Sequence, residues 1–430
     1  MFATDPHHAT HPTLHRTIEA VWRIESARVI AGLTRLTRDV GLAEDLAQEA
    51  LVAALEQWPH SGVPDNPAAW LTATAQRRAI DLFRRNANAA RKHEELAHEL
   101  EALEQTSPDL DSTLDNTISD DLLRLVFIAC HPILPTESRA ALTLRLLGGL
   151  TTDEIARAFL TPEPTIAQRI VRAKRTLADK HIPFEVPRGP ELAARLSSVL
   201  EVIYLIFNEG YSATTGDDLM RPTLCEDALR LGRILAELTP TEPEVHGLVA
   251  LMEIQASRTR ARVTSTGEPV LLFDQNRTQW DQLLIRRGLA AIERAHKIST
   301  TRGPYLLQAE IAACHARARS ASETDWPRIV LLYTELAHLT PSPVVELNRA
   351  VAVSLAYGPE AGLILVDALA SEPSLARYHL LPSVRADLLY KLGRYPEARA
   401  EFERAAALTR NTRERALLLA RAASCLSSPD

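Results

Sequence analysis

Apolar residues recur at steps of three and four along almost the whole chain, whereas the strict alternation of a half-buried strand is nearly absent. This pattern predicts helices over residues 13–31, 41–57 and 67–85. The last two are separated by WPHSGVPDNP, whose prolines and glycine we expect to break any helix. Further helical segments fill most of the chain that follows, so the predicted fold class is all-α.

The same pattern divides the chain into four parts. Residues 1–90 are expected to form a compact helical bundle, residues 119–183 a second helical module, and residues 187–430 a long helical region. Residues 91–118 lie between the two modules, and from His93 onward this segment is rich in Asp and Glu and holds no Lys or Arg. That composition, poor in aromatic residues, is typical of a linker.

The stretch TTDEIARAFLTPEPTIAQRIVRAKRTL predicts two short helices around a tight turn. Thr151 and Glu154 have the spacing of a capping box, which satisfies the first free amides of a helix. The second helix is expected to begin near Thr161, because Pro162 and Pro164 are tolerated in a first turn. This layout is typical of a helix-turn-helix, whose second helix lies in the major groove of DNA.

The second of these helices has one apolar and one polar face. The residues expected to be buried are Ile166, Ile170, Ala173 and Leu177. The candidate DNA-binding residues are Thr165, Gln168, Arg169, Arg172, Lys174 and Arg175. Arginine suits guanine edges or phosphates, glutamine suits adenine, and lysine suits phosphate. The alternative is a solvated basic helix in an ordinary bundle.

Three further stretches support the first interpretation: GLAEDLAQEALVAALEQW, NPAAWLTATAQRRAIDLFRR and LRLVFIACHPILPTESRAALTLRLLGGLTTDEIARAFL. In order and spacing they resemble regions 2 and 4 of a bacterial sigma factor of the extracytoplasmic-function group, over roughly residues 13–182. The resemblance implies that Asp45, Gln48 and Glu49 dock on core RNA polymerase. It also implies that region 2 reads and opens the minus-ten promoter element and that region 4 binds the minus-thirty-five element. For the acidic linker it implies a path through polymerase channels, and the alternative is a solubilising spacer.

The helix after the docking segment carries two basic pairs about two turns apart. Arg77, Arg78, Arg84 and Arg85 could hold the phosphates of a strand being unwound, or could simply be solvated. Trp70 is expected to be a core residue rather than a base-stacking wedge, since it falls in step with the apolar residues of this helix.

The long C-terminal region contains ADLLYKLGRYPEARAEFERAAALT, which has the order of small and aromatic residues of a tetratricopeptide repeat, and a weaker copy that ends in AYGPEAGLILVDAL. The whole chain resembles a sigma-factor subgroup with a C-terminal tetratricopeptide-like extension, which implies an α-solenoid that tunes sigma activity. The extension is also a candidate site for a protein or small-molecule effector. Residues that could line such a site, or instead cap helices and satisfy loops, are Glu209, Tyr211, Asp217, Asp218, Asp274, Arg277 and Asp281.

Charge and composition narrow the classes of function. The formal net charge is -7, but without the acidic stretch the N-terminal part is positive, as DNA binding requires. The sequence contains no signal peptide pattern and no apolar run long enough for a membrane span, so we expect a cytoplasmic protein. The four cysteines are scattered and indicate neither zinc nor disulfides.

Two alternatives to a sigma factor remain open from the residues alone. A conventional helix-turn-helix regulator with a repeat domain would have no need of the docking helix AEDLAQEAL. An enzyme in the C-terminal half would need a nucleophile with a base, a phosphate loop or a ligand set, and none is recognisable. HEELAH differs from the H-E-x-x-H zinc motif because His93 and His98 are five residues apart. We therefore expect neither catalysis, nor a metal, nor a cofactor.

Overall fold

The computed structural model describes residues 11–87, 111–159, 161–212, 220–264 and 268–426. Within these ranges the chain is helical, and an isolated antiparallel bridge joins Val263 and Pro269. The chain divides into two compact units, Met1–Val202 and Ile203–Asp430. The predicted all-α class is confirmed for the described residues.

Unit 1 contains two groups of helices. Its helices are α1 (His11–Thr37), α2 (Val40–Ser61), α3 (Pro67–Ala87), α4 (Asp111–Ala129), α5 (Thr136–Leu146), α6 (Thr152–Phe159), α7 (Glu163–Asp179) and the first part of α8 (Pro190–Tyr211). α1 packs along α2, α3 and α4, while α5, α6 and α7 pack on one another. α7 also contacts α2, so the two predicted modules touch.

α2 fits closely into the first module because its inner face is made of small residues. Ala43, Ala47, Ala50 and Ala54 are all fully buried on this face. The predicted break between α2 and α3 is confirmed, but α2 ends four residues later than predicted: it continues through Pro59 to Ser61 and ends at Gly62, whose φ is 81°. A proline near the end of a helix removes only one backbone hydrogen bond, and the buried Trp58 beside it holds the last turn in place.

Trp70 at the start of α3 packs edge-on against Trp58, with ring centroids 5.3 Å apart. It is half-buried, as expected of a residue that packs on the core of the first module.

The capping box predicted for the second module is confirmed. The backbone amide of Glu154 donates to Thr151 Oγ1 at 3.2 Å, and the amide of Thr151 donates to Glu154 Oε2 at 2.8 Å. α7 begins two residues later than predicted, with Pro162 at the N-cap and Pro164 in the first turn. Its predicted apolar face is buried: Ile166, Ile170, Ala173 and Leu177.

The start of α8 packs on the second module through polar contacts. Arg195 donates to the carbonyl of Phe127 at 3.0 Å, and Ser198 donates to the carbonyl of Cys130 at 2.6 Å. These carbonyls lie at the C-terminal end of α4, where backbone acceptors have no partner within the helix. Unit 1 therefore extends to Val202, beyond the point at which the sequence suggested that the C-terminal extension begins.

Unit 2 holds the end of α8 and a succession of helices. They are α9 (Pro222–Leu238), α10 (Pro243–Ala256), α11 (Gln282–Ile298), α12 (Pro304–Arg317), α13 (Trp326–Leu339), α14 (Pro343–Tyr357), α15 (Pro359–Ala368), α16 (Leu380–Lys391), α17 (Tyr395–Leu408) and α18 (Thr412–Ser424). From α9 onward each helix packs against the next one in sequence. Among the described residues, no helix combines the length and apolar character that crossing a bilayer demands.

The turns inside two of these helix pairs need glycine. Gly358 between α14 and α15 has φ 104°, and Gly393 between α16 and α17 has φ 73°, values that side chains disfavour. In α17 the residues that suggested a tetratricopeptide pattern, Ala398, Phe402 and Ala405, are fully buried. Both stretches that were read as repeats therefore form a helix, a glycine turn and a second helix.

Candidate nucleic-acid interface

α7 presents a polar face that the rest of unit 1 leaves uncovered. Gln168, Arg172 and Arg175 are exposed, while Thr165 and Arg169 are half-buried beside them. Arg175 Nε lies 3.4 Å from Asp179 on the same helix. The side chains of Gln168 and Arg172 have no protein partner within the described part of the chain. Their amide and guanidinium groups can therefore bind an external ligand without first breaking an internal contact.

Val171 lies on the same face, and the sequence reasoning missed it. Its side chain is 63% exposed, one turn from Gln168 and Arg175. The signal was available, since Val171 falls outside the apolar face formed by Ile166 and Ile170. An exposed apolar side chain among hydrogen-bond donors can contact the methyl group of thymine.

Lys174 faces a different direction, toward α2. Its ammonium pairs with Glu44 and lies 3.8 Å from Asp45 Oδ1. Glu44 is 3% exposed and also accepts a hydrogen bond from Arg145 Nε at 2.6 Å. Of the candidate residues on α7, Lys174 is therefore the one that joins the second module to the first.

The candidate docking residues form a patch on α2. Asp45 and Glu49 are exposed and Gln48 is half-buried. Glu49 accepts a hydrogen bond from Arg78 of α3 at 2.7 Å. Because Asp45 approaches Lys174, both carboxylates of this patch already lie beside a cation that the sequence suggested for DNA binding.

The basic residues of α3 differ in their surroundings. Arg77 and Arg84 are seven residues apart and exposed, and Arg85 is exposed near the end of the helix. Arg78 is the member of this set that pairs with Glu49. The row of Arg77 and Arg84 is free to meet phosphates, whereas Arg78 links α3 to the docking patch.

Two further ion pairs join the modules. Arg23 of α1 donates to Glu154 of α6 at 2.7 Å, and Arg35 of α1 lies 2.9 Å from the buried Asp121 of α4. Burial works to raise the pKa of Glu154, but the hydrogen bonds from Thr151 and the charge of Arg23 bring it below its ordinary value. Burial raises the pKa of Asp121 despite its arginine neighbours. The contact between the modules is therefore rich in charge.

The candidate effector residues of the C-terminal region mostly have structural partners. Asp281 caps α11 by accepting hydrogen bonds from the amides of Leu283 and Leu284, and Glu209 pairs with Arg221. Arg277 donates to the carbonyls of His315 and Ala318 at the end of α12. Tyr211 lies under the guanidinium of Arg262, and Asp274 is exposed. Asp217 and Asp218 lie outside the described residues.

Unit 2 instead contains a polar cavity that the sequence did not suggest. It has a volume of about 680 Å³ and lies beside α11, α12 and α13. The buried carboxylate of Glu310 lines it, 2.9 Å from His296 Nε2, 3.0 Å from Arg302 and 3.4 Å from Arg328. Its residues come from these three helices and the loops between them, and they carry no local motif.

Comparison with known families agrees with this geometry. Residues 23–89 match Sigma-70 region 2, and residues 124–177 match Sigma-70, region 4. Residues 195–296 match a family of unknown function, DUF6596. The two sigma matches contain the docking patch, the basic residues of α3 and the polar face of α7.

Similar proteins align either with nearly the whole chain or with a little over a third of it. An uncharacterized protein of Rhizobium meliloti (strain 1021) is 45% identical over 91% of this chain and 92% of its own length. The ECF RNA polymerase sigma factor SigK of Mycobacterium ulcerans (strain Agy99) is 31% identical over 35% of this chain and 78% of its own length. The probable ECF RNA polymerase sigma factor SigI of Mycobacterium tuberculosis is 25% identical over 40% of this chain and 58% of its own length. No solved structure matches the chain. With the region 2 and region 4 matches, the SigK relationship establishes that this chain belongs to the family of ECF RNA polymerase sigma factors.

Proposed function

We propose that this protein binds core RNA polymerase and promoter DNA through its two sigma regions and that its C-terminal part regulates this activity. Sigma factors are non-enzymatic transcription initiation factors, so the mechanism is one of binding. The observation that carries the proposal is the exposed polar face of α7. It stands on a helix-turn-helix with a complete capping box, inside the segment that matches region 4.

In this mechanism α7 reads the minus-thirty-five element. Gln168, Arg169 and Arg172 contact base edges, and Thr165 and Arg175 contact phosphates on either side. Val171 adds an apolar contact to the same face. Lys174 reaches a phosphate only after it releases Glu44.

Region 2 supplies the other two contacts. Asp45, Gln48 and Glu49 offer a polar, acidic patch to a basic surface of the polymerase. Arg77, Arg84 and Arg85 hold the phosphates of the minus-ten element as it opens, and Arg78 joins them when it leaves Glu49.

Simultaneous binding of both elements requires the modules to separate. The two elements are about 25 base pairs apart, on the order of 80 Å along B-DNA. The 21-residue α3 is only ~30 Å long, and α7 touches α2 through Lys174 and Glu44. The contacts made by Glu44, Glu154 and Asp121 must therefore break on the way to the active complex.

We also infer that unit 2 is a tetratricopeptide-like array that tunes this opening. Three features support the inference: successive packing of α9 to α18, glycine turns at Gly358 and Gly393, and the buried residues of α17. The cavity around Glu310 offers an effector both a carboxylate and nearby cations.

Promoter-dependent transcription with purified core RNA polymerase tests both parts. The full chain is compared with a version that ends after Val202, so that the start of α8 continues to cover the end of α4. Transcripts that start at discrete promoters only when the full chain is present support the sigma assignment. The ratio between the two versions gives the sign of regulation by unit 2. DNA binding by both versions without initiation by either would favour a conventional regulator.

A further inference from the structure

A second cavity lies where the two sigma regions meet in unit 1. It has a volume of about 850 Å³, a size typical of small-molecule sites. The end of α1, the start of α2 and Ile128 of α4 form one side. The end of α7 and residues 181–184 form the other side. We call it the junction cavity.

Cationic and hydrogen-bond-donating side chains dominate the polar lining of the junction cavity. Four of them, Arg35, Arg38, Lys174 and His181, stand against a single carboxylate, that of Asp39. This carboxylate is already engaged, because its Oδ1 accepts hydrogen bonds from the amides of Gly41 and Leu42 at 2.7 and 3.0 Å. The lining thus contains three cations and one carboxylate, and the charges of Arg35 and Lys174 are offset by Asp121 and Glu44 beside it.

Two of these side chains are unused. Arg35 pairs with Asp121 and Lys174 with Glu44, but Arg38 and His181 are exposed and have no partner in the described part of the chain. Arg38 and His181 both adopt left-handed backbone conformations, with φ 54° and 49°. Each follows the end of a helix, so its position at the edge of the cavity is fixed by the fold rather than by a side-chain contact.

The rest of the lining is apolar. Among these lining residues Val40 and Leu177 are buried, and Ile182 and Phe184 are half-buried. An inorganic anion would leave the apolar part of the lining exposed to water. A neutral apolar molecule would leave the guanidinium of Arg38 without an acceptor. A ligand that carries both an anionic group and an apolar group satisfies both parts of the lining.

We propose that the junction cavity binds an organic anion, a phosphate or carboxylate attached to an apolar group, and that this ligand holds regions 2 and 4 together. Both regions supply lining residues, so the complete site exists only while the modules touch. A ligand that binds only this arrangement stabilises it and lowers the fraction of molecules able to open. The regulatory part of this inference rests on the proposed sigma function, and the binding part does not.

Binding is tested by isothermal titration calorimetry of the full chain with 1-naphthyl phosphate. We expect saturable binding to one site. 1-Naphthol, which lacks the anion, and inorganic phosphate, which lacks the ring, should each bind at least about tenfold more weakly. Absence of saturable binding by 1-naphthyl phosphate, or equal binding of all three probes, would overturn the proposal.

Variants locate the site. Arg38→Asn with His181→Asn removes the guanidinium charge and the imidazole and leaves two short, neutral amides, and asparagine tolerates the left-handed conformation of these positions. The affinity for 1-naphthyl phosphate should fall about tenfold or more. Ala178→Trp, at an exposed position of the lining, should block binding by filling the cavity. Arg16→Asn, an exposed arginine on α1 outside the cavity, is the matched control and should leave the affinity unchanged. Unaltered affinity in the double variant and in Ala178→Trp would place the ligand elsewhere.

Transcription separates the two parts of the proposal. Saturating 1-naphthyl phosphate should lower promoter-dependent transcription by the natural chain, but not by the Arg38→Asn, His181→Asn variant. Binding without any effect on transcription would refute the role in holding the regions together. Transcription that is normal while no ligand binds would refute the cavity proposal and leave the sigma function standing.

Discussion

The contact between the two modules of unit 1 depends on different side chains from the apolar core of unit 2. In unit 1 the two modules meet across ion pairs, such as Arg23 with Glu154 and Arg145 with Glu44. In unit 2 successive helices share apolar clusters, such as the one that contains the buried residues Phe402 and Leu347, beside ion pairs such as that of Arg385 with Glu401. A buried charge needs a partner but can exchange one partner for another, whereas apolar surface has no comparable partner in water. We therefore expect the contact between the modules of unit 1 to open onto charged partners more readily than the apolar clusters of unit 2.

The largest expected effect is on the apolar contacts of unit 2. Phe402→Ala should lower the free energy of unfolding of this unit by about 3 to 5 kcal/mol, because it leaves a cavity in a fully buried cluster. Urea unfolding, with hydrogen exchange to report on each unit, measures the loss. Leu419→Ala, at a position 49% exposed, is the control and should cost less than about 0.5 kcal/mol. Equal losses would show that the burial of Phe402 does not matter.

The second largest effect is expected on the stability of the ionic contact between the two modules of unit 1. Glu44→Gln removes a 3% exposed charge that Arg145 and Lys174 share, and it should cost about 2 to 3 kcal/mol. The cost is smaller than for a fully buried pair because both cations keep some contact with water. Asp179→Asn breaks an exposed pair on α7 and should cost less than about 0.5 kcal/mol. Protection from hydrogen exchange in α2 and α7 should fall for Glu44→Gln alone; unchanged protection would mean that this contact does not hold the modules.

The third effect is on promoter binding, and it distinguishes the exposed polar face of α7 from Lys174, which contacts α2. Arg172→Ala should cost about 1 to 3 kcal/mol of promoter binding and relax specificity at one base pair, with no change in the stability of unit 1. Arg169→Ala should do the same if its guanidinium reaches a base. Lys174→Ala should instead loosen the contact between the modules. A promoter profile that is unchanged in both arginine variants would sink the recognition-helix assignment.

The docking patch should show a smaller effect. Replacing Asp45 and Glu49 together with Ala should weaken polymerase binding by about 1 kcal/mol, chiefly through a slower association that depends on salt. Glu56→Ala, an exposed glutamate on the same helix, is the control. Association rates measured at two salt concentrations decide the matter. If the double variant and the control behaved alike, the patch would lie elsewhere on region 2.

Local spacing made part of this structure predictable. The capping box of Thr151 and Glu154 and the buried face of α7 follow from residues within a few turns of one another, and both were found. The ion pair between Arg23 and Glu154 joins residues 131 positions apart, and no periodicity records such a contact. The pairing of Lys174 with Glu44 was missed for the same reason. The polar cavity around Glu310 depends on three helices that pack side by side, which only the fold brings together.

The smallest expected effect is on how stability depends on pH, and it differs between the two units. Burial and the nearby Arg195 lower the pKa of His131 to about 4, and its Nδ1 accepts a hydrogen bond from the amide of Ile133 at 3.1 Å. The folded state thus favours the neutral ring, so this contribution is complete above about pH 6.5 and is lost as the pH falls toward 4. In unit 2, burial lowers the pKa of His315 to about 4 as well.

His131→Asn keeps an acceptor for the amide of Ile133 but does not titrate. At about pH 5.5, unit 1 of this variant should therefore lose less stability than unit 1 of the natural chain. The difference should be under about 1 kcal/mol, because the ring of His131 is partly solvated. Unit 2 should keep its full pH dependence, since His315 is untouched. An identical acid response of unit 1 in the variant and the natural chain would show that protonation of His131 does not contribute.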